Sequence, residues 1–425
     1  MKKLPLAILL ICPFVLAANV GIIPTPQQVE HSGQRVRLSA RADYELVGDP
    51  QNLKKGREIL SEALAGTAGG STESTMTVIL EKKDDFTIDN ISTEQLSEAY
   101  SLEISSGKIL IRSGTGKGLF YGLMSVAQLV KAAEDGTIPT LRILDYPDMM
   151  WRGISDDFSR GQVSTMENFE TILRFLGEYK QNIYMPYMED VIQMDKYPDI
   201  GAGRGALSKQ EIAELQNIAK QYFVQVIPIF QTLGHYENIL SDPKYMQYAE
   251  YPGAASLNSI DENTDRFLFN MLDEVIPQFK SEYFHIGCDE SRDVGLGASK
   301  AFVKKKGSAR IHADHYNKVY HHVTAQGKKV IMYGDIILRY PEIMDMIPQD
   351  IIIVDWHYRP SDHYPSVRQL RKPDLRFWSH RASITGAKPF PISPKHGSTF
   401  PVSIMKDTYR ALWARSIPVG AITAA

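Results

Sequence analysis

The chain has 425 residues, of which 43% are hydrophobic, 23% charged and 10% aromatic, with a formal net charge of -3. This is ordinary globular composition with apolar material for a large core, and the length suits two or three domains, or one barrel with an attachment. The near balance of charge, with no long basic run, argues against nucleic acid and anionic membrane surfaces as partners.

Lys2 and Lys3 precede an apolar stretch from Leu4 to Leu16, and Val15-Leu16-Ala17 offers a cleavage position. Residues 1–18 therefore read as a signal peptide, and the product is expected to be exported, periplasmic or extracellular. The apolar run is shorter than the about 20 residues of a membrane span, so no stable membrane insertion is expected. With Cys12 in the leader, Cys288 stands alone and no intramolecular disulfide is expected.

Residues 19–145 read as a small α+β domain. Leu53 to Leu64 has helical character and Thr75 to Leu80 that of a strand, while Ala99–Ile104 and Lys108–Arg112 form a hairpin around Ser105-Ser106-Gly107. Leu119, Leu123, Val126 and Leu129 recur at helical spacing. Gly114-Thr-Gly-Lys-Gly118 before them lacks the spacing and the Lys-Ser/Thr ending of a phosphate loop, and reads as a plain turn.

From Trp151 short apolar strands alternate with amphipathic helices. The predicted strands are 151–156, 182–187, 223–230, 283–288, 329–333, 350–355, 374–379 and 419–424. Ser164-Thr-Met-Glu167 and Ser208-Lys-Gln-Glu211 each read as a capping box, and Gly327 as a helix stop. Met166, Phe169, Leu173 and Leu176 mark one apolar helix face; Ile212, Leu215, Ile218 and Ala219 mark another. This rhythm predicts an α/β fold, a (β/α)8 TIM barrel over residues 146–425 preceded by the small domain. A doubly wound open sheet fits less well, because no glycine-rich nucleotide fingerprint follows a strand. The sequence ends at Ala425, within the predicted eighth strand.

Barrel sites lie at the carboxyl ends of the strands. Those ends supply Asp156-Asp157, with Arg152 within the same strand, then Glu189-Asp190, His235 with Glu237, Asp289-Glu290, Tyr333 with Asp335, Trp356 with His357, and Trp378. Each alone has a bland reading, a carboxylate as a helix cap and a tryptophan as packing. Converging on one rim, they suit a sugar: aromatic faces cover its apolar side and charged groups bind its hydroxyls.

Phe284-His-Ile-Gly-Cys-Asp-Glu290 resembles the fourth strand of glycoside hydrolase family 20, the β-N-acetylhexosaminidases, which typically reads His-Ile-Gly-Gly-Asp-Glu. The resemblance extends to Ala99-Tyr-Ser-Leu-Glu-Ile and Gly118-Leu-Phe-Tyr-Gly122 in the small domain. In the barrel it takes in Asp145-Tyr-Pro-Asp-Met-Met-Trp-Arg-Gly153, Asp157-Phe-Ser-Arg160, and Val226-Ile-Pro-Ile-Phe with Gly234-His235. Cys288 stands where glycine is usual and Tyr333 where tryptophan is usual. The acetamide-binding tyrosine of the seventh strand is unassigned, and the strand-eight tryptophan is expected beyond Ala425.

The resemblance implies an exo-acting, retaining hydrolase of N-acetylhexosamine-terminated oligosaccharides. In it the substrate's own acetamide is the nucleophile, through an oxazolinium. Asp289 is then expected to hold the acetamide N–H and Glu290 to be the acid/base. Arg152, supported by Asp190, would grip the sugar hydroxyls, and His235 would orient a carboxylate. Tyr333, Trp356 and Trp378 would wall the acetamide pocket. No cofactor or metal is expected, and Cys288 reads as buried filler. The alternatives are an inactive carbohydrate-binding barrel and a barrel glycosidase with two separated carboxylates. Stereochemistry at the sugar, linkage and oligomeric state are not read from the sequence.

Overall fold

A computed structural model of the protein describes residues 20–67, 74–358 and 364–370, with the backbone of 377–382 and 403–406. The leader lies outside the described residues. The chain divides into two compact units after Asp148, three residues beyond the expected boundary.

The first unit is a six-stranded sheet. Its strands are β1 (Gln28–Arg37), β2 (Ala42–Val47), β3 (Met76–Lys82), β4 (Tyr100–Ser105), β5 (Lys108–Ser113) and β6 (Thr137–Asp145), in the order β1-β6-β4-β5-β3-β2. The expected hairpin is β4–β5. Helices Lys54–Ala65 and Gly116–Lys131 carry the apolar residues Ile59, Leu60, Leu119, Leu123 and Val126 into its core. Thr115 caps the second helix by accepting from Gly118 N–H at 3.0 Å, so the stretch expected as a plain turn is a bend at Gly114-Thr115 followed by the first helical turn from Gly116.

The second unit is a parallel sheet curled into a barrel. Its strands are β7 (Arg152–Asp157), β8 (Ile183–Met188), β9 (Gln225–Val226), β10 (Ile229–Phe230), β11 (Tyr283–His285), β12 (Lys329–Tyr333), β13 (Ile352–His357), β14 (Phe377–Ala382) and β15 (Ser403–Lys406). The predicted third strand is broken into β9 and β10 around Ile227-Pro228, and Pro228 has no N–H for the ladder. The strand next to β7 is β15, which pairs with both β14 and β7. The seat expected for 419–424 is thus filled from Ser403–Lys406, and 419–424 itself lies outside the described residues.

Alternation along the strands builds the barrel interior. Ile183, Met185 and Tyr187 from β8 meet Ile229 from β10, Ile331 and Tyr333 from β12, and Ile352 and Val354 from β13, all buried. Ser208 and Glu211 form the expected capping box. The other expected box is displaced: Thr165, not Ser164, is the N-cap and accepts from Asn168 N–H at 3.3 Å. Both helices bury the predicted faces, through Phe169, Leu173 and Leu176, and through Ile212, Leu215 and Ala219. Among the described residues no helix is long and apolar enough to cross a membrane.

Candidate active site

β11 stops at His285 and gives way to a turn built from left-handed residues. Gly287, Cys288 and Glu290 have φ of 66°, 70° and 49°. For Cys288 and Glu290 this conformation costs on the order of 1–3 kcal/mol each. The turn breaks strand alternation, which would send neighbouring side chains to opposite faces. Buried Gln231 holds it. Its Oε1 accepts from Cys288 N–H at 3.1 Å, and its Nε2 donates to Asp289 Oδ1 at 2.7 Å and Tyr187 Oη at 2.8 Å. A Cβ on Gly287 would lie 2.1 Å from Gln231 Oε1, so glycine is required there. Asp335 Oδ2 accepts from Glu290 N–H at 3.0 Å.

The two acids converge on one imidazole. His235 Nε2 lies 3.4 Å from Asp289 Oδ2 and 3.7 Å from Glu290 Oε2. These are ion-pair distances rather than aligned hydrogen bonds. His235 Nδ1 lies 3.8 Å from Glu189 Oε1 and 4.0 Å from Glu237 Oε1. Burial works against the imidazolium, but Asp289, Glu237 and Glu189 outweigh it and raise the pKa to about 10. Glu189, His235 and Glu237 bring potential ligand atoms within 4.8 Å of one another.

On the other side of His235, Arg160 Nη1 forms an ion pair with buried Glu189 Oε1 at 2.6 Å and donates to Asp157 Oδ2 at 3.2 Å. Its guanidinium sits 5.6 Å from the Tyr187 ring centroid. Burial raises the Glu189 carboxyl to about 7, against the pull of Arg160 and with a further push from Glu237. Asp190 is also buried; it accepts from Arg204 Nε at 2.5 Å and from Asn238 Nδ2 at 3.2 Å.

Arg152 does not take the expected place. It is the first residue of β7, at the amino end of the barrel, away from the mouth. Its guanidinium donates to Lys180 O at 2.7 and 3.0 Å and to Met149 O at 2.6 Å. Backbone carbonyls there need donors, and Arg152 supplies them. Its expected partnership with Asp190 is replaced by that of Arg204.

The aromatic residues expected as walls come from β12, β13 and β14. Tyr333 is buried, with its ring centroid 4.3 Å from that of His285. Trp356 packs on the barrel core, edge-on to half-exposed Tyr358 at 5.1 Å. Burial, and then the charge of Asp289, raise Asp335 to about 6, and the Trp356 indole lies beside it. Trp378 is registered against Val354 on β13, and its side chain lies outside the described residues. Cys288 is fully buried against Thr232 Oγ1 at 3.1 Å, and burial pushes its thiol up, so it is filler rather than nucleophile.

Residues 146–372 match Glycosyl hydrolase family 20, catalytic domain, and residues 19–146 match Glycosyl hydrolase family 20, domain 2. The chain belongs to glycoside hydrolase family 20. It is 23% identical over 365 residues to a beta-hexosaminidase of Porphyromonas gingivalis, covering 77% of this chain and 46% of that one. It is 25% identical over 218 residues to a beta-N-acetylhexosaminidase of Cellulomonas fimi, covering 45% and 44%. The chain thus spans about half the length of these curated relatives. Among solved structures, the Flavobacterium johnsoniae chitobiase aligns with TM-score 0.70 at 20% identity, over 85% of this chain and 59% of that one. The Vibrio harveyi exo β-N-acetylglucosaminidase, solved with N-acetylglucosamine, aligns with TM-score 0.68 at 18% identity, over 86% and 61%. These likenesses show the fold, a TIM barrel after an amino-terminal domain.

Within this family 20 frame, Arg160, Arg204, Gln231 and Asn238 are the polar residues that sequence reasoning missed. Arg160 had a signal: it lies three residues past the Asp157 that ends β7, on the side where barrel sites form. Gln231 follows the end of β10 directly. Arg204 comes from a turn and Asn238 from the short helix Glu237–Leu240, and neither carries such a mark.

Proposed function

We propose that the chain is an exo-acting β-N-acetylhexosaminidase that removes terminal N-acetylglucosamine or N-acetylgalactosamine with retention, through an oxazolinium. The approach of Asp289 and Glu290 to the same His235 nitrogen carries this reading. Two acids sharing one imidazole sit on one side of a bound sugar and not astride it. Neither can then be the nucleophile opposite the other, and the substrate's acetamide oxygen takes that part.

In the first step that oxygen attacks the anomeric carbon as the glycosidic bond breaks, and Glu290 gives its proton to the leaving oxygen. Asp289, aimed by Gln231, accepts from the acetamide N–H and stabilises the developing positive charge. In the second step Glu290 takes a proton from water, which opens the oxazolinium and restores the acetamide. Arg160, already between Glu189 and Asp157, takes the grip on the sugar hydroxyls in place of Arg152. Tyr333, Trp356 and Trp378 form the acetamide wall.

The test is turnover of 4-nitrophenyl N-acetyl-β-glucosaminide and its galactosaminide epimer, with a thiazoline analogue of the oxazolinium as inhibitor. Turnover with strong thiazoline inhibition is expected. Turnover that the thiazoline leaves untouched would favour a separated carboxylate pair. Binding of N-acetylglucosamine without turnover would favour an inactive barrel. Export after cleavage of residues 1–18 is part of the proposal, supported by the leader sequence and tested by the intact mass of the secreted protein.

A further inference from the structure

Asp289 is held from upstream by Gln231, but Glu290 lies beyond the turn, and its position depends on what fixes the chain after it. That segment, Ser291–Ser299, contains no helix or strand. It is tied down by one buried carboxylate. Glu250, 1% exposed, accepts at Oε1 from Gly295 N at 3.2 Å, Gly297 N at 3.1 Å, Ser299 N at 2.9 Å and Ser299 Oγ at 2.6 Å. Its own carbonyl accepts from Ala298 N at 2.8 Å. The next residue, Tyr251, donates from Oη to Asp293 Oδ1 at 2.7 Å, and Ala255 N–H donates to Asp293 Oδ2 at 2.8 Å.

The same brace reaches His235 from its other side. Ala255 O accepts from Tyr236 N at 2.8 Å, and Leu257 N donates to Leu233 O at 2.9 Å. Residues 250–257 thus join the turn that carries His235 to the segment that leaves Glu290. Carboxylate-to-backbone hydrogen bonds are among the stronger ones, and breaking several in a buried place orphans every donor at once.

We propose that Glu250 is the positioning residue of the acid/base: it fixes the Ser291–Ser299 segment so that the Glu290 carboxyl stays aimed at the leaving oxygen, without touching substrate. This rests on the role proposed for Glu290. Because Asp289 has its own anchor, removing Glu250 should impair proton delivery and spare acetamide attack.

The experiment uses the full chain and three aryl N-acetyl-β-glucosaminides: 2,4-dinitrophenyl, which needs no protonation, then 4-nitrophenyl, then phenyl, which needs it most. Glu250→Ala should lower kcat little on the first and about 10- to 100-fold on the last. KM should stay within about threefold. Glu250→Gln, which keeps an acceptor at Oε1, should restore most of the phenyl rate. An equal loss on all three substrates, or no loss on the phenyl glycoside, overturns the proposal. If Glu250→Ala does not melt cooperatively, Tyr251→Phe, which removes one outer tie, must steepen the same dependence, and a flat profile overturns the proposal. A parent enzyme inactive on all three would instead fell the hexosaminidase reading, and this proposal with it.

Discussion

Gln231 and Asp289 are bound at 2.7 Å, and the same carboxamide that orients the Asp289 carboxylate also holds the Cys288 N–H at 3.1 Å. One buried side chain therefore sets both the turn and the acid that the turn presents. Gln231→Leu would leave that N–H without its acceptor inside the barrel mouth. A loss of about 1–3 kcal/mol in stability is expected, together with a fall in kcat. Urea unfolding alongside turnover checks both, and unchanged stability would show that the turn holds itself.

Glu290→Gln keeps the shape of the side chain and removes the transferable proton. Hydrolysis of substrates with poor leaving groups should fall by about 10²- to 10⁴-fold, with activated aryl glycosides affected far less. Near-normal turnover of a phenyl glycoside would remove Glu290 from the acid/base role.

The two arginines separate cleanly. Arg160→Ala should lower kcat/KM, because Arg160 stands among Glu189, Asp157 and Tyr187 at the mouth. Arg152→Ala should lower the melting temperature and leave KM close to normal, because its guanidinium serves carbonyls at the amino end of the barrel. Loss of substrate affinity in the second variant would restore the sequence-based assignment.

His235 gives the stability a pH dependence of definite sign. Its folded pKa, about 10, lies above the ordinary 6.5, so between these values the folded state binds more protons than the unfolded one. The contribution is complete below pH 6.5 and is lost as pH rises toward 10. The stability advantage of the parent over His235→Asn should therefore shrink across that window, by at most about 1.4 kcal/mol per pH unit. Denaturant midpoints of the two proteins from pH 6 to 10 measure it, and a constant difference would mean that the imidazole is not held charged.

The barrel's frame was largely legible because its signals are local. Ser208 and Glu211 satisfy each other's helix end, and Ile183, Met185 and Tyr187 alternate on one apolar run. The first-unit strand β1 was not foreseen, because only Val36 of its ten residues is buried and no alternation shows. Neither was β15, whose four residues Ser403–Lys406 are too short for an apolar run. The neighbouring acids Asp289 and Glu290 were legible as a candidate pair from their motif and their place just past β11. Arg152 took its expected role from the resemblance, although the expected strand 151–156 already set it at the amino end, where its guanidinium meets the Lys180 and Met149 carbonyls. Glu250 left no trace at all: its partners are mostly backbone N–H groups, which every residue but proline possesses.

Arg204 reaches Asp190 from a stretch in which Gly201, Gly203 and Gly205 all have positive φ, and which belongs to none of the described strands. No ladder bond of the barrel runs through it. Insertions, deletions or exchanges in this stretch can therefore reshape the surroundings of Asp190 while the frame that aims the two acids is inherited unchanged. Under the proposed function, evolution has here a place to alter which glycans are accepted without having to reinvent how they are cut.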